Sequence, residues 1–198
     1  MKALRSNAKY LALILLILGL GFISDASYIH AKAVLAQYLI AKSWQGGQYA
    51  PWPWADTWPV ARLRYQDEDL YVLSGSHGSS LAFGPGHVDG TALPGRSGVS
   101  VVAGHRDTHF AFLSELAVGD EVSVQSEEGK WQTYTVISMA VVDTSDSNLM
   151  VLDGGLNQMT LVTCYPFDTI EPGGPLRYVV TAKRREESHE EIPRPRFG

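Results

Sequence analysis

Between Val60 and Ala182 the chain returns again and again to one pattern, a short run rich in β-branched and aromatic residues followed by a turn. The runs are Val60 to Arg64, Leu70 to Leu73, Val99 to Ala103, Glu121 to Val124, Tyr134 to Val142, Met159 to Cys164 and Arg177 to Ala182. They are bounded by Asp-Gly, Gly-Asp and Pro-Gly pairs, whose backbone freedom suits strand ends. Only His109 to Leu116 reads as an internal helix, with Phe110, Leu113 and Leu116 on one face and Asp107 or Thr108 as its cap. With so little helix to cover a sheet, the strands must bury their apolar faces against one another. The pattern predicts an all-β domain, a closed or nearly closed barrel, over residues 60–183.

Ahead of this domain, Tyr10 to Ile23 carries no charge, and Lys2, Arg5 and Lys9 stand on its N-terminal side. Fourteen residues suit the core of a cleaved signal peptide, whereas a bilayer core of about 30 Å calls for roughly 20 residues of helix, a length reached if the run continues across Asp25 to Ile29. The late Ala31-Lys32-Ala33 is the nearest cleavage site, which favours an uncleaved anchor. The expected order is a basic cytoplasmic N-terminus over 1–9, a membrane anchor over 10–29 and a juxtamembrane helix over 30–45. Val34, Leu35, Tyr38 and Leu39 supply the helical spacing of that last segment. The basic flank places the N-terminus inside and everything after the anchor outside the cytoplasmic membrane. Residues 46–59 form a Trp- and Pro-rich linker that wraps onto the domain. Residues 184–198, almost free of apolar side chains, form a disordered tail.

Composition removes several classes of function. With 16 Lys and Arg against 21 Asp and Glu, the net charge is −5, so no electrostatic footprint for nucleic acid exists. The single cysteine, Cys164, excludes an intramolecular disulfide and a multi-cysteine zinc site.

Three strand ends carry reactive or charged side chains. Cys164 closes the run Met159 to Cys164, and His105 follows the strand Ser100 to Ala103. Arg177 opens a third strand after the Pro-Gly-Gly-Pro loop of residues 172–175. Singly, each has an ordinary reading: a small core thiol, a structural imidazole, a solvated cation. Jointly they supply what thiol catalysis needs, a nucleophile, a proton carrier and an oxyanion stabiliser. His105 and His109 also stand at zinc-helix spacing, with His87 and Cys164 as conceivable further ligands. The cationic Arg106 between the two histidines argues against a metal there, and none is expected. Asp67-Glu68-Asp69 reads as a solvated hairpin turn, and Gly84-Pro85-Gly86-His87 as a turn with His87 at the border of a groove.

The pentapeptide Thr160-Leu161-Val162-Thr163-Cys164, with Gly104-His105-Arg106 before it and Leu176-Arg177-Tyr178 after it, closely resembles the sortase family of cysteine transpeptidases. The resemblance covers roughly residues 52–183. The approach Trp52-Pro53-Trp54-Ala55-Asp56-Thr57-Trp58-Pro59-Val60-Ala61 resembles the Gram-negative-type subgroup. Ser97-Gly98-Val99-Ser100 departs from a Gly-Asn pair found in many sortases.

The resemblance implies an eight-stranded barrel behind a membrane anchor and catalysis by Cys164, His105 and Arg177; Thr163, which supports the site, and His87, at the groove border, are expected to contact substrate. It implies no cofactor. The implied substrate is an exported protein bearing an LPxTG-like C-terminal sorting signal, cleaved through a thioacyl enzyme and transferred to an amine acceptor. That acceptor stays open, as does release to water by a thiol protease. A membrane-tethered barrel that binds peptides without turnover is the non-enzymatic alternative.

Overall fold

The computed structural model describes residues 2–145, 157–169 and 173–185. The chain forms a long helix α1 (Lys2–Gly46), then strands β1 (Pro59–Tyr65) and β2 (Glu68–Ser74). A four-residue helix α2 (Gly78–Leu81) precedes β3 (Gly86–His87), β4 (Val99–Ala103) and a 3-10 turn at Ala111–Ser114. After these come β5 (Glu121–Gln125), β6 (Trp131–Asp143), β7 (Gln158–Cys164) and β8 (Leu176–Arg184). The strands close into a barrel in the order β1-β2-β3-β4-β7-β8-β6-β5.

Alternation explains the closure. In the seven longer strands alternate positions turn inward, so Leu63, Val72, Val102, Val122, Val124, Tyr134, Leu161 and Val180 meet in one core at no more than 1% exposure. Phe110 and Leu113, from the turn after β4, plug the same core. Most pairings are antiparallel. Two are parallel, β2 with β3 and β4 with β7, and each requires a crossover, the first made by α2. In the second, the C-terminal ends of β4 and β7 finish side by side.

The barrel has one strand more than the seven read from the sequence. Gly84-Pro85-Gly86-His87 is not only a turn, because Gly86 and His87 pair with both β2 and β4. A two-residue strand without alternation leaves no periodic signal, and only the tertiary pairing reveals it. Gly86 is required there, since an added Cβ would lie 2.3 Å from the carbonyl oxygen of Gly75. The internal helix is also shorter than the expected His109 to Leu116. Its cap position is Phe110, with no side-chain cap bond, because burial of Phe110 outweighs helix propensity.

The acidic run is likewise redistributed. Gln66, at φ 49°, and Asp67 make the hairpin turn, while Asp69 lies in β2 and pairs with Arg62 at 2.6 Å and Arg64 at 3.0 Å. At the other end, β8 continues to Arg184. Arg185 donates its backbone N–H to Thr133 and pairs with Glu121, so the ordered domain passes residue 183. Residues 186–198 of the expected tail lie outside the described residues.

The end of α1 docks on the barrel through Ala36, Ile40 and Ser43, all buried, and through Gln37 Nε2, which donates to the Phe83 carbonyl at 2.7 Å. The linker behind it is held by Thr57 Oγ1 on the Ser74 carbonyl and by an edge-on contact of Trp52 with Phe83. The expected anchor over 10–29 falls within α1, but most of its side chains lie outside the described ones. Among the described residues no helix is long and apolar enough to cross a membrane.

The Asp69 cluster gives a testable pH dependence. Burial opposes ionisation of Asp69, but the hydrogen bond from Arg62, followed by the charges of Arg62 and Arg64, holds the carboxyl below its ordinary range. A depressed carboxyl stabilises the fold above its unfolded pKa and loses that contribution as pH falls through the folded value. The cluster is partly solvated, so wild type should exceed Asp69→Asn by under about 1 kcal/mol at neutral pH. That margin should vanish in urea titrations as pH falls from about 5 toward 2.

Candidate active site

The site is built by two registers. Cys164 and Arg177 are cross-strand partners in the antiparallel β7–β8 pair, which sets their Cα atoms about 5 Å apart with side chains on the same face. Ala103 is the partner of Val162 in the parallel β4–β7 pair, so the two residues that follow, Gly104 and His105, run alongside Thr163 and Cys164. Residues 59 positions apart in sequence thus arrive at one barrel rim.

The rim is held locally. Gly104 donates its N–H to the Val162 carbonyl at 3.0 Å, and Thr163 Oγ1 donates to the Gly104 carbonyl at 2.7 Å. The turn beyond closes when Phe110 donates its N–H to the His105 carbonyl at 2.9 Å. Phe110 is fully buried over Gly104, where an added Cβ would stand 2.7 Å from its ring. Glycine is therefore needed for close approach rather than for a special φ.

Cys164 is half-buried and His105 exposed. Arg177 is half-buried, and its Nη1 donates to the carbonyls of Gly174 at 2.8 Å and Leu176 at 2.9 Å. Among the described residues no other group takes a hydrogen bond from this guanidinium, which leaves Nε and Nη2 as donors for an incoming oxygen. Val101, Ala103 and Val162 are half-buried on the same face as Cys164, an apolar floor along the β4–β7 seam. Under the far side of the rim, Tyr165, Phe167 and Tyr178 pack ring against ring at centroid separations of 5.2 to 6.2 Å and brace the β7–β8 connection.

The structure thus brings Cys164, His105 and Arg177 to one edge. Thr163 is 2% exposed and committed to the Gly104 carbonyl, so its side chain supports the rim from inside instead of facing a substrate. His87, 6% exposed, has Nε2 at 3.0 Å from both Thr91 Oγ1 and the Ala92 carbonyl. It ties the β3–β4 connection from within and is not a groove wall. Burial, followed by the charge of His105, holds His109 below the ordinary histidine range. Among the described residues no group of three His, Cys, Asp or Glu side chains could hold a metal ion.

A protein-family model described as the Sortase domain matches residues 63–185. Sortase D of Bacillus subtilis (strain 168) is 32% identical over 116 residues, which are 59% of this chain and 58% of that protein. The chain therefore spans less than two thirds of that relative's length. Among solved structures, sortase A from Corynebacterium diphtheriae superposes with a TM-score of 0.58 at 27% identity, covering 70% of this chain and 66% of that one. A Clostridium perfringens sortase D5 transpeptidase gives a TM-score of 0.53 at 28% identity, covering 65% and 79%.

The close approach at the rim can be checked directly. Gly104→Ala should displace Phe110 or the strand exit and cost about 1 to 3 kcal/mol in urea unfolding. An unchanged midpoint would mean that Phe110 moves aside freely.

Proposed function

Because the chain belongs to the sortase family, we propose that its barrel rim is the active site of a cysteine transpeptidase acting on exported proteins. The observation that carries the reading is the double register that aligns Cys164 with Arg177 and leads His105 alongside.

Cys164 is the nucleophile. Its thiolate attacks the carbonyl carbon of the scissile peptide bond, and the carbonyl electrons move onto oxygen. Arg177 serves that oxygen: its charge is permanent, and its fork donates hydrogen bonds in fixed directions. When the tetrahedral adduct collapses, the C–N bond breaks and the imidazolium of His105 gives its proton to the leaving amine. The thioacyl enzyme remains until an acceptor amine attacks the same carbon, returns its proton to His105 and frees the thiolate. The apolar floor of Val101, Ala103 and Val162 suits an extended peptide with apolar residues ahead of the scissile bond. An LPxTG-like sorting signal has that form.

The setting we propose is single-pass attachment to the cytoplasmic membrane through residues 10–29, with the barrel outside. The uncharged run, its basic flank and the docking of Ala36, Ile40 and Ser43 on the barrel support it. Enzyme and substrate held on one membrane meet at raised effective concentration. Within the family we place the chain in the Gram-negative-type subgroup on its tryptophan-rich approach alone; the relatives compared above are Gram-positive enzymes.

Cleavage of a fluorogenic LPxTG-type peptide, with products resolved by mass, tests the reading. Cys164→Ala should abolish cleavage while changing stability by at most about 1 to 2 kcal/mol. Full activity in that variant would sink the thiol mechanism. Transfer to an added amine, against release as the free acid, separates transpeptidase from protease.

A second prediction concerns charge against geometry at Arg177. If the guanidinium stabilises the oxyanion through directed bonds, Arg177→Lys should lose on the order of 10² to 10³ in kcat although the charge is kept, and Arg177→Gln at least as much. A raised KM with normal kcat in both variants would instead assign Arg177 to ground-state binding.

A further inference from the structure

Arg106 follows His105 directly in the chain, yet it is only 6% exposed. Its Nη2 donates to the backbone carbonyl of Thr169 at 2.9 Å, and its Nε donates to the carboxylate of Asp107 at 3.2 Å. Thr169 lies 63 positions away in the β7–β8 connection, five residues after Cys164 and eight before Arg177. One planar guanidinium therefore joins the turn that bears His105 to the loop strung between Cys164 and Arg177.

Burying this cation carries a desolvation cost, of which the Asp107 carboxylate recovers little. The side chain of Asp107 is 68% exposed, so solvent screens the attraction. What the burial secures is geometric. The carbonyl of Thr169 lies in the β7–β8 connection, so the Arg106 bond ties that connection to the His105 turn, in addition to the bonds of Thr163 to Gly104 and of Gly104 to Val162 at the bases of the two elements.

Resting on the catalytic reading above, we infer that Arg106 is a positioning residue: its buried fork sets the placement of the His105 turn against the Cys164–Arg177 edge, without contact with substrate. A lysine keeps the charge but offers a compact ammonium, which cannot span the Thr169 carbonyl and the Asp107 carboxylate in one plane. Misplacement by about 1 Å at a reacting centre costs about 10²-fold in rate.

The test compares Arg106→Lys and Arg106→Ala in the full chain by peptide-cleavage kinetics, thermal melting and hydrogen exchange. Arg106→Lys should lower kcat by about tenfold or more with KM within about twofold and little change in melting. Millimolar guanidinium, but not ammonium at the same concentration, should restore part of the kcat of Arg106→Ala and leave wild type unaffected. Amide exchange should accelerate together at residues 104–110 and 165–169 in Arg106→Ala, with β5 and β6 unchanged.

Normal kcat in a folded Arg106→Lys overturns the inference, as does faster exchange confined to residues 104–110. A kcat loss matched by an equal loss of thermal stability, without guanidinium rescue, also overturns it. The exchange arm needs no turnover. Absence of Cys164-dependent cleavage in wild type would count against the proposed function, while the coupled exchange would still decide the tie.

Discussion

The parallel pairing of β4 with β7 is the interaction on which the rest of the site depends. In an antiparallel pair, one strand's C-terminal end would face the other's N-terminal end, and the side chains after β4 and at the end of β7 would lie at opposite rims. Parallel pairing puts Gly104-His105 and Thr163-Cys164 at the same rim. The antiparallel β7–β8 pair then returns the chain so that its first residues, Leu176 and Arg177, meet the end of β7. A thiol, an imidazole and a guanidinium are assembled by strand polarity before any side-chain contact is considered.

Strand pairing positions these groups only to within the freedom of the loops that leave the barrel. Three devices narrow that freedom. Gly104 admits the ring of Phe110, which draws the His105 turn down onto the core. The rings of Tyr165, Phe167 and Tyr178 stiffen the start of the β7–β8 connection. Arg106 joins the two loops through the Thr169 carbonyl. Each device spends burial or close packing on orientation, which is how a half-exposed thiol keeps a defined approach direction beside water. The end of α1 docks away from this edge, against β1 and, through Gln37, on the Phe83 carbonyl ahead of β3.

Much of this was legible in the chain. Seven of the eight strands carry β-branched runs with turn punctuation, because alternation between core and solvent is written residue by residue. Cys164, His105 and Arg177 were legible too, as chemically active types at strand ends in the order of a known family. His87 and Thr163 show the limit. Both are polar and near the motif, which suits a substrate contact as well as a buried support, and only burial separates these roles. Arg106 shows the reverse: its sequence position offers a member of the His105 motif and an argument against a metal, and nothing local marks a guanidinium with a partner 63 residues away.

The sequence by itself determined the class of fold, the three reactive side chains and the apolar, basic-flanked N-terminal segment, since each is a matter of residue type at short range. Tertiary structure decided the rest. It decided the eighth strand, which exists only because β2 and β4 both offer edges to Gly86 and His87. It decided which polar groups face inward, because that depends on register and on what covers each position. It also decided that His105 and Cys164 share a rim, because strand polarity in a barrel is a property of the closed chain, in which every ladder must find a partner at once, and of no single segment.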